Sequence, residues 1–286
     1  MLVKGEFSAD SIWTKPLDYV QSPFRYPGGK FYALKYIMPF INSYPHDYYI
    51  EPFIGGGSVF FGKKKAADNW INDLDNDLIE TYNAIKSKKR VQILLNRVTS
   101  EAATKERHNE IVNYEPQSKN DIAYKTYYLN RMSYSGIIHK PSWGYAVGAS
   151  SPPNNWGKFL LNANKKLKNT IISCMDFEEI FNNLPPKRKK VLLYLDPPYY
   201  LADQKRAYKK SFQYHDHERL AKRLPKLNHA FVLSYDDCKE VRKLYNWAYI
   251  HERSWFYNTG NSNGPRPLGK ELIITNFKVD LIKQSL

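Results

Sequence analysis

The sequence predicts an α/β fold: a mostly parallel sheet with helices on both faces, interrupted by a smaller inserted domain. Short apolar runs at 47–50, 69–73, 170–174, 191–195, 230–234 and 271–277 have the length and composition of buried strands. Helical patterns alternate with them over roughly 30–42, 75–88, 157–168, 216–224 and 237–245, as expected of βαβ units. The alternation stops between about 89 and 156. That stretch begins helical and then becomes rich in Tyr, Ser, Asn, Gly, Pro and Trp, which suits an inserted recognition domain, with a long structural excursion as the alternative. The expected organisation is an N-terminal extension over 1–21, a main domain from 22–88 and 157–286, and the insertion 89–156.

At 286 residues the chain is long enough for one large core and a smaller appended unit. No apolar run approaches the roughly 18 residues needed to span a bilayer, and the first 20 residues lack the apolar centre of a signal peptide. A cytoplasmic protein is therefore expected, with no membrane partner. Cys174 and Cys238 lie far apart, in no ligand-like spacing, and read as small reduced core residues. The charge is more telling. Lys plus Arg is 43 against 28 acidic residues, a formal +15 with pI near 9.5, and 23 tyrosines are interleaved. A basic surface with many aromatics suits a polyanion whose bases can stack.

In parallel α/β sheets ligands sit beyond the carboxyl ends of the strands, and the motifs fall there. "FRYPGGKF" (24–31) is not a phosphate-binding P-loop, because Phe24 and Phe31 stand where Gly and Ser or Thr are required. An aromatic, a tight turn and Lys30 still suit a zwitterionic ligand. "YIEPFIGGGSVFF" (49–61) reads as strand, glycine turn and helix start; Phe60 replaces the third glycine of a dinucleotide fingerprint, so a nucleoside without pyrophosphate fits better. "NWINDLDND" (69–77) puts Asp73 at the next strand end, where such folds hold ribose hydroxyls, while Asp75 or Asn76 suits a helix cap. A calcium loop is excluded by Leu78 and Ala84 at its sixth and twelfth positions.

"CMDFEE" (174–179) has two open readings: Asp176 and Glu179 cap a helix, or Asp176 and Phe177 bind an adenine ring. "HDHE" (215–218) reads as the exposed start of a helix, and no metal is expected. "VLLYLDPPYYLAD" (191–203) ends a buried strand in Asp196, two prolines and Tyr199. Proline fixes its own backbone and restricts its predecessor, so Asp196–Pro197–Pro198–Tyr199 is a stiff hook. The Asp196 carboxylate and the Pro197 carbonyl offer two acceptors for an amine's two N–H groups, and Tyr199 offers a ring on which a base can stack.

Taken in order, "FRYPGGK", "EPFIGGGSVFF", "NDLDNDLIETYNAI", "YLDPPYY", "FVLSYDD" and "KELIITNF" resemble the Dam-type adenine-specific DNA methyltransferases, from about residue 22 to 278. The resemblance implies a Rossmann-like methyltransferase sheet, S-adenosylmethionine as cofactor and double-stranded DNA as partner. By it, Tyr26 and Lys30 border the cofactor's methionine end, Phe53, Gly55 and Gly57 form the turn beneath it, and Asp73 meets its ribose. Asp176 and Phe177 meet its adenine, and Asp196 lies close to its amino acid moiety. The insertion becomes the target-recognition region, with "NRMSYSG" (130–136) resembling the DNA-contacting hairpin and Arg131, Ser133, Tyr134 and Ser135 as contacts. The implied reaction is methylation of the 6-amino nitrogen of a flipped-out adenine, needing no metal; a cognate restriction endonuclease would act separately, and a single chain with one site and one cofactor pocket suggests a monomer. An RNA or protein-amide methyltransferase with the same hook, or a catalytically silent DNA binder, are the rival classes.

Overall fold

In "VLLYL" every residue is apolar or aromatic, so a strand there is stable only if helices cover both its faces. The computed structural model, which describes residues 13–26, 28–201, 212–256 and 268–279, places it at the centre of a sheet. The strands are β1 (Tyr48–Glu51), β2 (Asp68–Asn72), β3 (Thr170–Ser173), β4 (Val191–Leu195), β5 (Ala230–Asp236), β6 (Tyr249–Phe256) and β7 (Leu268–Thr275). Their order is β3-β2-β1-β4-β5-β7-β6; β1 to β5 run parallel, and β7 lies antiparallel between β5 and β6. The fold is thus a mostly parallel seven-stranded α/β sheet of Rossmann-like form, as expected from the sequence.

Successive residues of a strand face opposite sides, and they divide between two hydrophobic clusters accordingly. Leu192, Tyr194 and Val232 join α1 (Leu34–Ser43), α3 (Asn76–Lys86) and α7 (Trp156–Leu167) on one face. Leu193, Leu195, Phe231 and Leu233 join residues of α8 (Phe177–Asn182), α9 (Tyr214–Arg223) and α10 (Lys239–Leu244) on the other. The remaining helix next to the sheet is α2 (Ser58–Gly62), directly after the glycine turn.

The stretch 89–156 begins as expected with helices: α4 (Lys88–Thr99), α5 (Lys105–Asn113) and α6 (Lys119–Met132). Ser87, Thr104 and Ser118 cap them by accepting backbone N–H groups. Their apolar residues, including Leu94, Ile111 and Tyr127, belong to the same cluster as α1, α3 and α7. The following segment, 133–155, is irregular apart from two short 3₁₀ turns.

Three expectations are corrected. β6 was not anticipated, because Glu252 and Arg253 break its apolar pattern at the sheet edge. Cys174 is exposed just after β3 rather than in the core, and Cys238 is buried. His217 is buried beside Tyr235, so only part of "HDHE" is an exposed helix start. Residues 1–12 of the expected N-terminal extension and the basic run 209–211 lie outside the described residues. From 13 onward that extension lies on the protein: Lys166 Nζ of α7 reaches Asp18 Oδ2 at 2.8 Å, and the Val20 amide donates to the Phe61 carbonyl at 3.1 Å. Among the described residues no helix is long and apolar enough to cross a membrane.

Candidate active site

The carboxyl ends of β1, β2, β3 and β4 open into one cavity of about 350 Å³. Its floor is the turn after β1. Gly55 has φ 44° and Gly57 φ 70°, left-handed values that L side chains rarely adopt, and Gly57 stands at the N-terminus of α2. The ring of Tyr26 lies on this turn; a Cβ on Gly55 would come within 3.0 Å of Tyr26 Cε1. The turn is tied down by Asp73 from the end of β2. Its Oδ2 accepts the Gly55 amide at 2.9 Å and its Oδ1 the Asp75 amide at 3.0 Å. Asp75 itself caps α3, so the two acids divide the roles between them.

An aromatic wall stands beside the turn. Phe53 lies 5.7 Å from Phe177 and, edge-on, 5.7 Å from Phe212. Asp176 accepts the Glu178 amide at 2.9 Å, and Glu179 accepts the Asp176 amide at 3.2 Å, so the capping reading holds. Asp176 and Phe177 also line the cavity, so the second reading stays open. Arg219 of α9 anchors this corner, reaching Asp176 at 2.7 Å.

On the opposite side lies the hook after β4. Asp196 Oδ1 pairs with Lys30 Nζ at 2.8 Å, and that ammonium sits 4.6 Å from the centre of the Tyr199 ring. Burial pushes the Asp196 carboxyl up, and the Lys30 ammonium opposes this. Pro197, Pro198 and Tyr199 line the same cavity. The structure therefore brings together every residue that the sequence assigns to cofactor binding and catalysis. Lys30, expected at the cofactor's methionine end, is also the direct ion-pair partner of Asp196.

The assigned DNA-contacting residues divide. Arg131 is 9% exposed, with its guanidinium 5.0 Å from the Phe159 ring, and Ser133 is fully buried with Oγ 3.0 Å from His108 Nε2. Both are occupied inside the protein. Tyr134 and Ser135 remain partly exposed, at the start of a loop closed by an isolated bridge between Ser133 and Trp143. Gly136 has φ 74°, and a Cβ there would lie 2.3 Å from the Arg25 carbonyl, so this loop presses against the chain entering the cavity.

Sequence reasoning missed three acids. Glu51 is buried in the cavity wall, accepts the Tyr49 hydroxyl at 2.8 Å and is pushed well above the usual carboxylate range by burial. Its signal was an acid at the end of an otherwise apolar strand. Asp236 and Glu271 act on the hook from neighbouring strands, which single-sequence spacing does not reveal.

Two buried acids of the site, Asp73 and Glu271, contribute a pH dependence. Burial raises Asp73 from 3.8 to about 6 and Glu271 from 4.5 to about 7. The native state then holds more protons than the unfolded chain across that window, so this stability is present below pH 4 to 5 and is lost as pH rises through 6 to 7. Glu271→Gln removes one of the two groups; the fall in unfolding free energy between pH 4.5 and pH 8 should shrink by about 2–3 kcal/mol in urea titrations. An unchanged pH profile would contradict this assignment.

The D12 class N6 adenine-specific DNA methyltransferase family model matches residues 26–259. The chain is 27% identical over 231 residues to the Type II methyltransferase M.CviBI of Paramecium bursaria Chlorella virus NC1A, covering 79% of this chain and 86% of that protein. It is 26% identical over 283 residues to the Type II methyltransferase M1.LlaDCHI of Lactococcus lactis subsp. cremoris, covering 89% and 95%. A third relative is the Type II methyltransferase M.MjaIII of Methanocaldococcus jannaschii, 28% identical over 205 residues, covering 63% and 69%. With the parallel sheet, the glycine turn and the Asp-Pro-Pro-Tyr hook meeting in one cavity, the chain belongs to the D12 class of N6 adenine-specific DNA methyltransferases.

Proposed function

We propose that the enzyme takes S-adenosylmethionine as methyl donor and methylates the 6-amino nitrogen of an adenine flipped out of duplex DNA. The observation that carries this reading is the shared cavity, in which the hook of Asp196 and the glycine turn with Asp73 face the same space. The residues present fit the cofactor. The Phe53–Phe177 wall with Asp176 suits a purine. Asp73 carboxylate oxygens each accept one amide and keep lone pairs for hydroxyls. Lys30 and Glu51, both in the wall, suit a group bearing a carboxylate and an ammonium. When bound, S-adenosylmethionine supplies an electrophilic methyl on a positively charged sulfur.

The chain's own groups do the rest. The Lys30 ammonium favours the ionised form of Asp196 and so opposes the effect of its burial. Asp196 and the Pro197 carbonyl accept the two amine hydrogens, which localises the nitrogen lone pair for attack. Extracting the base costs a few kcal/mol, and stacking on Tyr199 offsets about 1–3 kcal/mol of it. Positioning and oriented acceptors supply most of the acceleration. Tyr134 and Ser135, on the loop that presses against Arg25, are the DNA contacts of this reading.

Expression in a host that lacks adenine methyltransferases tests it. Long-read sequencing of the host DNA should find 6-methyladenine at one short motif, and none when Asp196→Ala is expressed. Unmodified adenine throughout, with the protein folded and abundant, would refute the reading.

A further inference from the structure

The β5–β7 pair is antiparallel, and its register sets Asp236 directly opposite Glu271. Facing residues in such a pair lie on the same face of the sheet, and like charges there are destabilising. The arrangement becomes intelligible from what the two acids touch. Asp236 Oδ1 accepts the Tyr200 amide at 2.9 Å and Oδ2 the Leu201 amide at 2.8 Å. Glu271, 1% exposed, accepts the Tyr199 hydroxyl through Oε2. The Tyr199 ring also stacks against Tyr235 of β5, with centroids 6.0 Å apart at 30°.

We propose that Asp236 and Glu271 are positioning residues for methyl transfer: Asp236 fixes the backbone just after the hook, and Glu271 fixes the tilt of the Tyr199 ring. This rests on the reading of 196–199 as the transfer site. A tyrosine ring has two torsions to settle, and a hydroxyl held at its far end removes most of that freedom before the base arrives. Orientation is where such catalysis is made, and small misplacements are costly in rate. The one antiparallel strand next to the parallel core thereby acquires a function, because its direction brings residue 271 to the level of residue 199.

The test measures single-turnover methyl transfer from labelled S-adenosylmethionine to mixed-sequence duplex DNA, with cofactor affinity measured separately by equilibrium dialysis. Glu271→Ala and Tyr199→Phe each delete the same hydrogen bond, from opposite ends. Each should slow transfer about tenfold while leaving cofactor affinity within about twofold. The double variant should be no slower than the slower single, since only one contact is lost. Glu271→Gln keeps a carbonyl acceptor and should restore most of the rate. Asp236→Asn turns an N–H donor toward a backbone N–H and should also slow transfer without weakening the cofactor. Additive losses in the double variant, or a wild-type rate in Tyr199→Phe, would overturn the proposal. Should Glu271→Ala fail to fold, the Tyr199→Phe and Glu271→Gln rates decide alone. Asp196→Ala run in parallel separates the two levels: full transfer there overturns the reading of the site, whereas wild-type rates confined to Glu271→Ala and Tyr199→Phe overturn only the positioning role.

Discussion

Asp196→Ala should lower methyl transfer by at least about 1000-fold while DNA binding, followed by electrophoretic mobility shift, stays within a few fold of the wild type. The expectation follows from two separate losses. The first is chemical: one of the two acceptors that orient the target amine disappears, leaving only the Pro197 carbonyl. The second is electrostatic. Lys30 is 4% exposed and its ammonium lies 2.8 Å from Asp196, so the alanine leaves a buried cation without that partner. Removing one member of a buried ion pair costs about 3–5 kcal/mol in stability. Asp196→Asn separates the two effects, since the amide oxygen still accepts while the charge is gone. It should retain more transfer than alanine, with a comparable fall in stability. Turnover close to wild type in Asp196→Ala would exclude the carboxylate from the reaction.

Gly57→Val should reduce S-adenosylmethionine affinity by more than about 100-fold in equilibrium dialysis. Its backbone has φ 70°, and a Cβ would come within 2.9 Å of the Tyr82 hydroxyl. That hydroxyl donates to the Gly55 carbonyl at 2.9 Å, so displacing it loosens the other end of the same turn. A β-branched residue in the left-handed region carries strain of about 1–3 kcal/mol before any clash is counted. The turn must therefore open, and with it the contact between Asp73 and the Gly55 amide. Unchanged affinity would mean that this turn is not part of the cofactor site.

Much of this was legible because chemistry and periodicity coincide in the chain. β4 is a run of apolar residues followed at once by Asp196, and β1 and β2 are likewise followed at once by Pro52 and Asp73. Each motif could be placed at a strand end, and parallel strands then bring those ends to one edge. What was hidden depends on pairing between distant residues. Glu271 looks like the first polar residue of an ordinary strand, and only the β5–β7 register carries it to Tyr199, 72 positions away. β6 was hidden for a different reason: an edge strand tolerates charged residues, so its apolar signal is diluted. Arg131 and Ser133 owe their expected DNA contacts to the resemblance of "NRMSYSG" to the family's hairpin, and that resemblance carries no information about burial. α6 is enclosed so fully that Thr126 through Ser133 are all buried, and polarity there serves internal hydrogen bonds and cation–π contacts.

The most direct test of the account mixes purified enzyme, S-adenosylmethionine labelled in its methyl group, and mixed-sequence duplex DNA, with an equal mass of RNA in a parallel tube. After digestion to nucleosides, label should appear in 6-methyl-2′-deoxyadenosine and in nothing from the RNA. That result would establish donor, acceptor atom and nucleic acid together. Label in another nucleoside, label in the RNA, or a blank from folded protein would contradict it.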